Sequence, residues 1–191
     1  IPDLHLALGR NYRLLGAFDQ AIEEFTRANS LNPPDPTPDL LISRTYATIG
    51  QFGKATQYAQ SAVSDAPTDP SLRGNYGVML FRNVDWAESV IQLELAVKGG
   101  LTEDGKVIEK VPLSTDPRVV EYYFTYALVL ARLNRCGEAL QIAQMVLSRV
   151  PTDEIAVANA NSVMSVCETN LSITPTATLN IPLSTPSATA A

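Results

Sequence analysis

Three short stretches decide how this chain folds: Gly16-Ala17-Phe18-Asp19-Gln20-Ala21, Gly50-Gln51-Phe52-Gly53-Lys54-Ala55 and Val84-Asp85-Trp86-Ala87-Glu88-Ser89. Each reads as a turn, then an aromatic, then a small residue three positions on. Ala21, Ala55 and Ser89 stand 34 residues apart, and a fourth copy, Asn134-Arg135-Cys136-Gly137-Glu138-Ala139, follows after 34 residues plus an insertion of 16. Further columns keep this register. Gly9, Ser43, Gly77 and Ala127 are small; Tyr12, Tyr46, Leu80 and Leu130 follow three residues later. Phe25, Ala59, Leu93 and Ala143 form one column of the second helix, and Ala28, Ala62, Ala96 and Val146 another.

The columns have a direct physical meaning. Small residues let two antiparallel helices approach closely, and the larger side chain beside them fills the remaining space. Pro33, Pro67 and Pro151 close three of the units, because proline lacks the N–H that would continue a helix. Thr37-Pro38, Asp69-Pro70 and Asp116-Pro117 each read as a capping side chain before a first-turn proline.

Taken together, these columns resemble the tetratricopeptide repeat, a helix–turn–helix unit of this period. Two features depart from the usual pattern. The column that commonly holds tryptophan carries His5, Asp39, Arg73 and Tyr123, and the third unit lacks the glycine before its second helix. The resemblance implies an all-α, right-handed α-solenoid of four helical hairpins over residues 2–35, 36–69, 70–100 and 117–153. A capping helix over 154–170 completes a solenoid domain of residues 2–170, nine helices in all.

The insertion, residues 101–116, contains Asp104-Gly105, a strong turn signal, followed by alternation over Lys106–Val111. This predicts a small β-hairpin projecting from the solenoid, either as a decorated loop or as a partner-specific arm. Residues 171–191 turn to Thr, Ser and Pro, a composition that cannot bury a core alone and favours extended conformations. Asn170-Leu171-Ser172 fits the N-glycosylation acceptor pattern.

Composition excludes several function classes. The net charge is −6 and the chain holds a single histidine, His5. No basic footprint for nucleic acid shows in these totals, and one histidine cannot build a multi-histidine metal site. There is no phosphate-binding glycine loop, and no nucleophile can be matched with a histidine base. The expectation is therefore a non-enzyme without cofactor, metal or catalytic residues. The most apolar stretch, Val119–Ala131, carries Glu121 and is too short to cross a bilayer, so no membrane insertion by this segment is expected.

The resemblance also implies a concave surface lined by the first helix of each unit. Carried over by column, the partner-binding candidates are Leu6, Arg10 and Arg13; Leu40 and Arg44; Asn75, Val78, Phe81 and Arg82; and Phe124, Leu128 and Arg132. Asp3, Thr37, Thr48, Gly74 and Glu121 fall beside them. Five of the ten arginines lie on this face, and all four lysines lie elsewhere. Guanidinium forks suit carboxylates, which points to a protein or peptide partner of acidic character. The lysine/asparagine clamp of chaperone-binding members is not reproduced.

Cys136 and Cys167 are 31 residues apart, at places that stacked hairpins make neighbours along one edge. A bridge between them is geometrically reasonable and points to an oxidising compartment; the alternative is two inert thiols. The sequence opens at Ile1 without a leader-like segment and reads as a fragment or processed chain. The functional expectation is a protein-interaction scaffold within a larger bacterial extracytoplasmic protein or envelope assembly, localised through a segment outside this sequence. The alternatives are a permanently packed structural subunit, a regulatory domain of an enzyme encoded upstream of Ile1, and a cytoplasmic location.

Overall fold

The computed structural model describes residues 1–173; the tail expectation for residues 174–191 lies outside them. The element order is α1 (Pro2–Leu14), α2 (Phe18–Leu31), α3 (Pro36–Thr48), α4 (Phe52–Asp65), α5 (Pro70–Arg82) and α6 (Trp86–Lys98). A two-stranded insertion follows, β1 (Gly100–Leu101) and β2 (Val107–Ile108), and then α7 (Pro117–Arg132), α8 (Cys136–Arg149) and α9 (Glu154–Ile173). These nine helices among the described residues form a right-handed α-solenoid. Within each unit the two helices pack together, and each second helix packs on the first helix of the next unit. The last helix, α9, lies against both α7 and α8.

The repeat register is visible in backbone geometry. Each first helix closes with the same turn hydrogen bond: Ala17 N–H to Tyr12 O, Gln51 to Tyr46, Asp85 to Leu80 and Arg135 to Leu130, each at 2.9 Å. The residue before each of these donors sits in the left-handed region: Gly16 at φ 74°, Gly50 at 75°, Val84 at 66° and Asn134 at 60°. Glycine and asparagine occupy that region at little cost, whereas a β-branched valine does not. The missing glycine of the third unit is therefore a strained turn.

Ala21, Ala55, Ser89 and Ala139 are wholly buried at the closest approach of each hairpin. The Ser89 hydroxyl donates to the Gly77 carbonyl at 2.8 Å, so its polarity is satisfied. A Cβ placed on Gly77 would meet Leu93 Cγ at 2.5 Å. The column that lacks tryptophan instead makes polar ties to neighbouring elements. His5 Nδ1 lies 2.6 Å from Glu24 Oε2, and Arg73 Nη1 donates to Gln92 Oε1 at 2.8 Å. Asp39 accepts from Asn29 Nδ2 at 3.1 Å, and Tyr123 donates to the Val111 carbonyl at 2.7 Å. Burial holds the Asp39 carboxyl above the usual aspartate range.

Two expectations are corrected in detail. The cap of α3 is Asp35, whose side chain accepts from Thr37 N–H, with Pro36 in the first turn rather than Pro38. Asp35 stands one repeat before Asp69, which caps α5 in the same way. The hairpin also does not simply project. Gly100 pairs with Ile108 and Leu101 with Val107, Ile108 is buried, and Val111 N–H donates to the Ala96 carbonyl at 2.8 Å. The insertion is stitched onto α6 because its apolar residues have solenoid surface to cover. At the other end of the array α9 runs on to Ile173, three residues beyond the expected 154–170, and carries Asn170-Leu171-Ser172 within a helix.

Two measurements test this account of the core. Val84→Gly relieves the left-handed valine and is expected to raise unfolding stability by about 1–2 kcal/mol, while Gly77→Ala lowers it by about 1–3 kcal/mol, both read by urea denaturation. The raised native pKa of Asp39 favours its protonated form in the folded state. Its contribution is fully present below the unfolded value near 3.9 and is lost as pH rises through the native value. Wild-type protein should therefore gain stability relative to Asp39→Asn as pH falls from about 7 towards about 4; a pH-independent difference between the two would contradict the assignment.

Candidate functional site

The inner side of the array is built by α1, α3, α5 and α7, and these helices enclose a cavity of about 250 Å³. Its lining is Arg13 from α1; Arg44, Ala47 and Thr48 from α3; Asn75, Met79 and Arg82 from α5; and Arg118 and Glu121 from α7. Four guanidinium groups thus converge with one carboxylate. That carboxylate is already engaged, since Arg82 Nη2 lies 2.6 Å from Glu121 Oε1. Among the described residues no carboxylate stands within ion-pair distance of Arg13, Arg44 or Arg118.

Arg44 is the fixed centre. Its Nε donates to Asn75 Oδ1 at 3.2 Å, and Asn75 Nδ2 donates in turn to Ser43 Oγ at 3.2 Å. Burial lowers the Arg44 pKa from its ordinary value; Arg118 and Arg13 add to this as like charges, and the neighbouring Tyr122 opposes it. Arg13 is lowered by burial, then by Arg118 and Arg10. Guanidinium stays charged regardless. The like-charge crowding is therefore a repulsion that an incoming anion would relieve.

The structure distributes the candidates from the sequence unevenly. Arg13, Arg44, Asn75 and Arg82 come together in the cavity, with Thr48 and Glu121 beside them. Arg10 is exposed on α1 and reaches the cavity only through its charge on Arg13. Arg132 lies over the Trp86 ring at 5.7 Å, and Arg82, one register earlier, lies over Phe52 at 5.9 Å. Both arginines stack on the aromatic that opens the preceding second helix. Arg82 nevertheless lines the cavity, and Arg132 does not. Leu6 and Val78 are buried in the core and offer no surface. Asn75 is 4% exposed and acts as the clamp beneath Arg44. Leu40, Phe81, Phe124 and Leu128 are half-buried against the main core and do not line the arginine cavity.

Arg118 lines the cavity although it falls outside the repeat columns. Helix α7 has 16 residues where α1, α3 and α5 have 13. Its start at Pro117, capped by Asp116, adds a turn at the N-terminal end that has no counterpart in the earlier units. Arg118 sits in that added turn. The Asp116-Pro117 pair was the signal that the helix began early.

At the C-terminal end Cys136 and Cys167 form a disulfide with a Cα–Cα distance of 5.4 Å, both residues being buried. Beside it, Asn170 Nδ2 donates to the Ala131 carbonyl at 3.1 Å. The bridge fastens the last turns of α9 to the start of α8. Among the described residues there is no cluster of histidine, cysteine and carboxylate suited to a metal, and no helix is long and apolar enough to cross a membrane.

Stacked hairpins with a charged inner groove define a helical-repeat solenoid. Residues 2–35 match the tetratricopeptide repeat family, and the three further hairpins repeat the same turn geometry in the same register. No curated protein sequence matches it at a significant level. Among solved structures, the MamA protein is 15% identical with a TM-score of 0.63 over 90% of this chain and 86% of its own. YrrB, described as a TPR protein with an unusual peptide-binding site, is 16% identical with a TM-score of 0.65 over 86% of this chain and 76% of its own. PilW, a widely conserved type IV pilus biogenesis factor, is 16% identical with a TM-score of 0.65 over 91% of this chain and 79% of its own. At these identities the likeness is one of fold.

The bridge closes a segment of 31 residues. On the chain-entropy model its reduction should cost about 2–4 kcal/mol of unfolding stability. Thermal unfolding with and without a phosphine reductant measures this, and the Cys136→Ser/Cys167→Ser double variant should show no response to the reductant.

Proposed function

We propose that this chain is a protein-interaction scaffold whose inner groove holds an acidic segment of a partner protein. One observation carries this reading: Arg13, Arg44 and Arg118 converge in one cavity without carboxylate partners, on a chain whose net charge is −6. Arginine presents a planar fork that takes a carboxylate in a bidentate manner, and Asn75 holds the central fork in place. Preorganisation of this kind reduces the ordering cost of binding. Phe81, Phe124 and Leu128 lie half-buried on neighbouring stretches of α5 and α7 and supply apolar ground for the segment's flanks. The peptide-binding site attributed to YrrB gives this use of the fold a precedent.

The setting we infer is a larger bacterial extracytoplasmic protein or envelope assembly. The buried Cys136–Cys167 bridge supports it, since disulfides persist in oxidising compartments. The type IV pilus role of PilW supplies a parallel among structures of this fold.

The groove is tested with a fluorescein-labelled glutamate/leucine peptide, capped at both ends so that only side-chain carboxylates are offered. Fluorescence anisotropy should report binding that weakens as salt rises. Arg118→Ala and Arg13→Ala should each weaken it by about tenfold, equivalent to about 1.4 kcal/mol, with unfolding midpoints unchanged. Affinity indifferent to both changes would place the partner elsewhere on the array and remove the basis of the assignment.

A further inference from the structure

The inserted hairpin creates a second groove, on the outer side of the array and independent of the arginine cavity. It encloses about 800 Å³ between α4, the start of α5, α6 and β1 with the turn that follows it. Val63, Pro67, Tyr76, Ile91, Leu95 and Leu101 supply its apolar surface. Val63 and Tyr76 are buried and form the floor. Ile91 and Leu101, by contrast, are 51% and 61% exposed, large aliphatic side chains left facing water on two different elements of one concavity.

The hairpin that supplies this wall is held firmly. Leu95 packs over Gly100 so closely that a Cβ there would meet Leu95 Cδ2 at 2.7 Å. Thr102 receives the Lys106 N–H on its hydroxyl at 2.8 Å and donates its own N–H to the Lys106 carbonyl at 2.8 Å, which closes the turn. An insertion that served only to cover the solenoid would bury its apolar residues. This one buries Ile108 and leaves Leu101 exposed on the groove.

Its charge is opposite to that of the inner face. Glu88, Glu103 and Asp104 line it against one guanidinium, Arg73. Arg73 is already committed, its Nε donating to the Pro67 carbonyl at 2.9 Å and its Nη1 to Gln92, and little of it reaches solvent. Asp104 is paired with Lys106 at 2.7 Å. Glu103 has no cation within ion-pair distance among the described residues. Glu88 accepts a hydrogen bond from Gln92 Nε2 at 2.8 Å but has no cation within ion-pair distance among the described residues, so Glu88 and Glu103 remain available to an incoming cation while Asp104 is already paired.

We propose that this outer groove is a second docking site, which takes a protein segment presenting apolar side chains flanked by lysine or arginine. The aliphatic side chains enter over Tyr76, Ile91 and Leu101, and the flanking cations meet Glu103 and Glu88. With an acidic segment in the inner groove, the chain would bridge two partners of opposite charge.

The probe is a short fluorescein-labelled peptide of leucine and lysine in a helical heptad pattern, with its leucine/glutamate analogue as control. The lysine peptide should bind in a salt-sensitive manner and shift the backbone amide resonances of Ile91, Leu101 and Glu103. Ile91→Ser and Glu103→Gln, both at exposed positions, should each weaken it by about three- to tenfold, and Arg118→Ala should leave it unchanged. Shifts of Ile91, Leu101 and Glu103 by the leucine/glutamate analogue as well, lysine-peptide shifts confined to other acidic surfaces, or indifference to both groove variants would overturn the proposal. The glutamate/leucine titration of the arginine cavity is unaffected by any of these results, so the two sites stand or fall separately.

Discussion

The distance at which each pair of helices crosses governs everything else in this molecule. Gly9, Ser43, Gly77 and Ala127 in the first helices and Ala21, Ala55, Ser89 and Ala139 in the second are all buried, and a Cβ on Gly9 or Gly77 would run into Phe25 or Leu93, so the hairpins close because these positions stay small. The space beside the crossing is then filled by whatever the neighbouring column supplies, a phenylalanine at Phe25 and a leucine at Leu93. Such a core is local, since each helix touches only its own partner and its immediate neighbours. Position in the array therefore follows from spacing alone. The inner positions of α1, α3, α5 and α7 are left free of packing duty and can carry charge.

That freedom is used asymmetrically. Packing fixes Leu6, Val78 and Asn75, which point towards the body of the solenoid or clamp another residue, while Arg13, Arg44 and Arg118 are held in the cavity with no carboxylate among the described residues within ion-pair distance. Burying and crowding like charge in this way costs stability: burial first, and neighbouring arginines after it, hold the pKa values of Arg13 and Arg44 below their ordinary value. A fold has no need of such a cluster for its own sake. Arg82 marks the contrast, because it is tied to Glu121 and laid over Phe52 and has the character of a structural pair.

Much of this was legible in the sequence because the determining quantity was a period. The left-handed turns at Gly16, Gly50 and Asn134, the buried small columns and the helix ends all follow from the 34-residue register. What a period cannot convey is where a unit departs from it. Arg118 was missed because the insertion starts α7 a turn early, and column logic assumes equal helices. Arg132 shares the column of Arg82 and the same stacking on a preceding aromatic, yet only Arg82 reaches the cavity, a difference the column does not convey. The α3 cap was misassigned between two adjacent proline pairs, where Asp35 outcompetes Thr37 for the helix start. Leu6 and Val78 were counted as surface because a helix in a solenoid has more than one buried flank, and the sequence does not reveal how wide each is.

The insertion gains its meaning from the same logic. In an otherwise regular array, extra residues between α6 and α7 have no place in the core and must lie on the outside. Where they lie is set by the few contacts they make with the frame: Ile108 buried, Val111 bonded to Ala96, and Tyr123 bonded to Val111. Those contacts also link the insertion to the first turns of α7, the element that carries Arg118 into the inner cavity. A single departure from the period thus shapes two surfaces at once, adding an arginine to one side and an apolar, carboxylate-rimmed wall to the other. The disulfide between α8 and α9 fixes the far end of the same helical stack, where α9 packs on α7. Rigid placement is what a scaffold requires of its frame, because a segment bound in either groove gains affinity only to the extent that the groove is already formed.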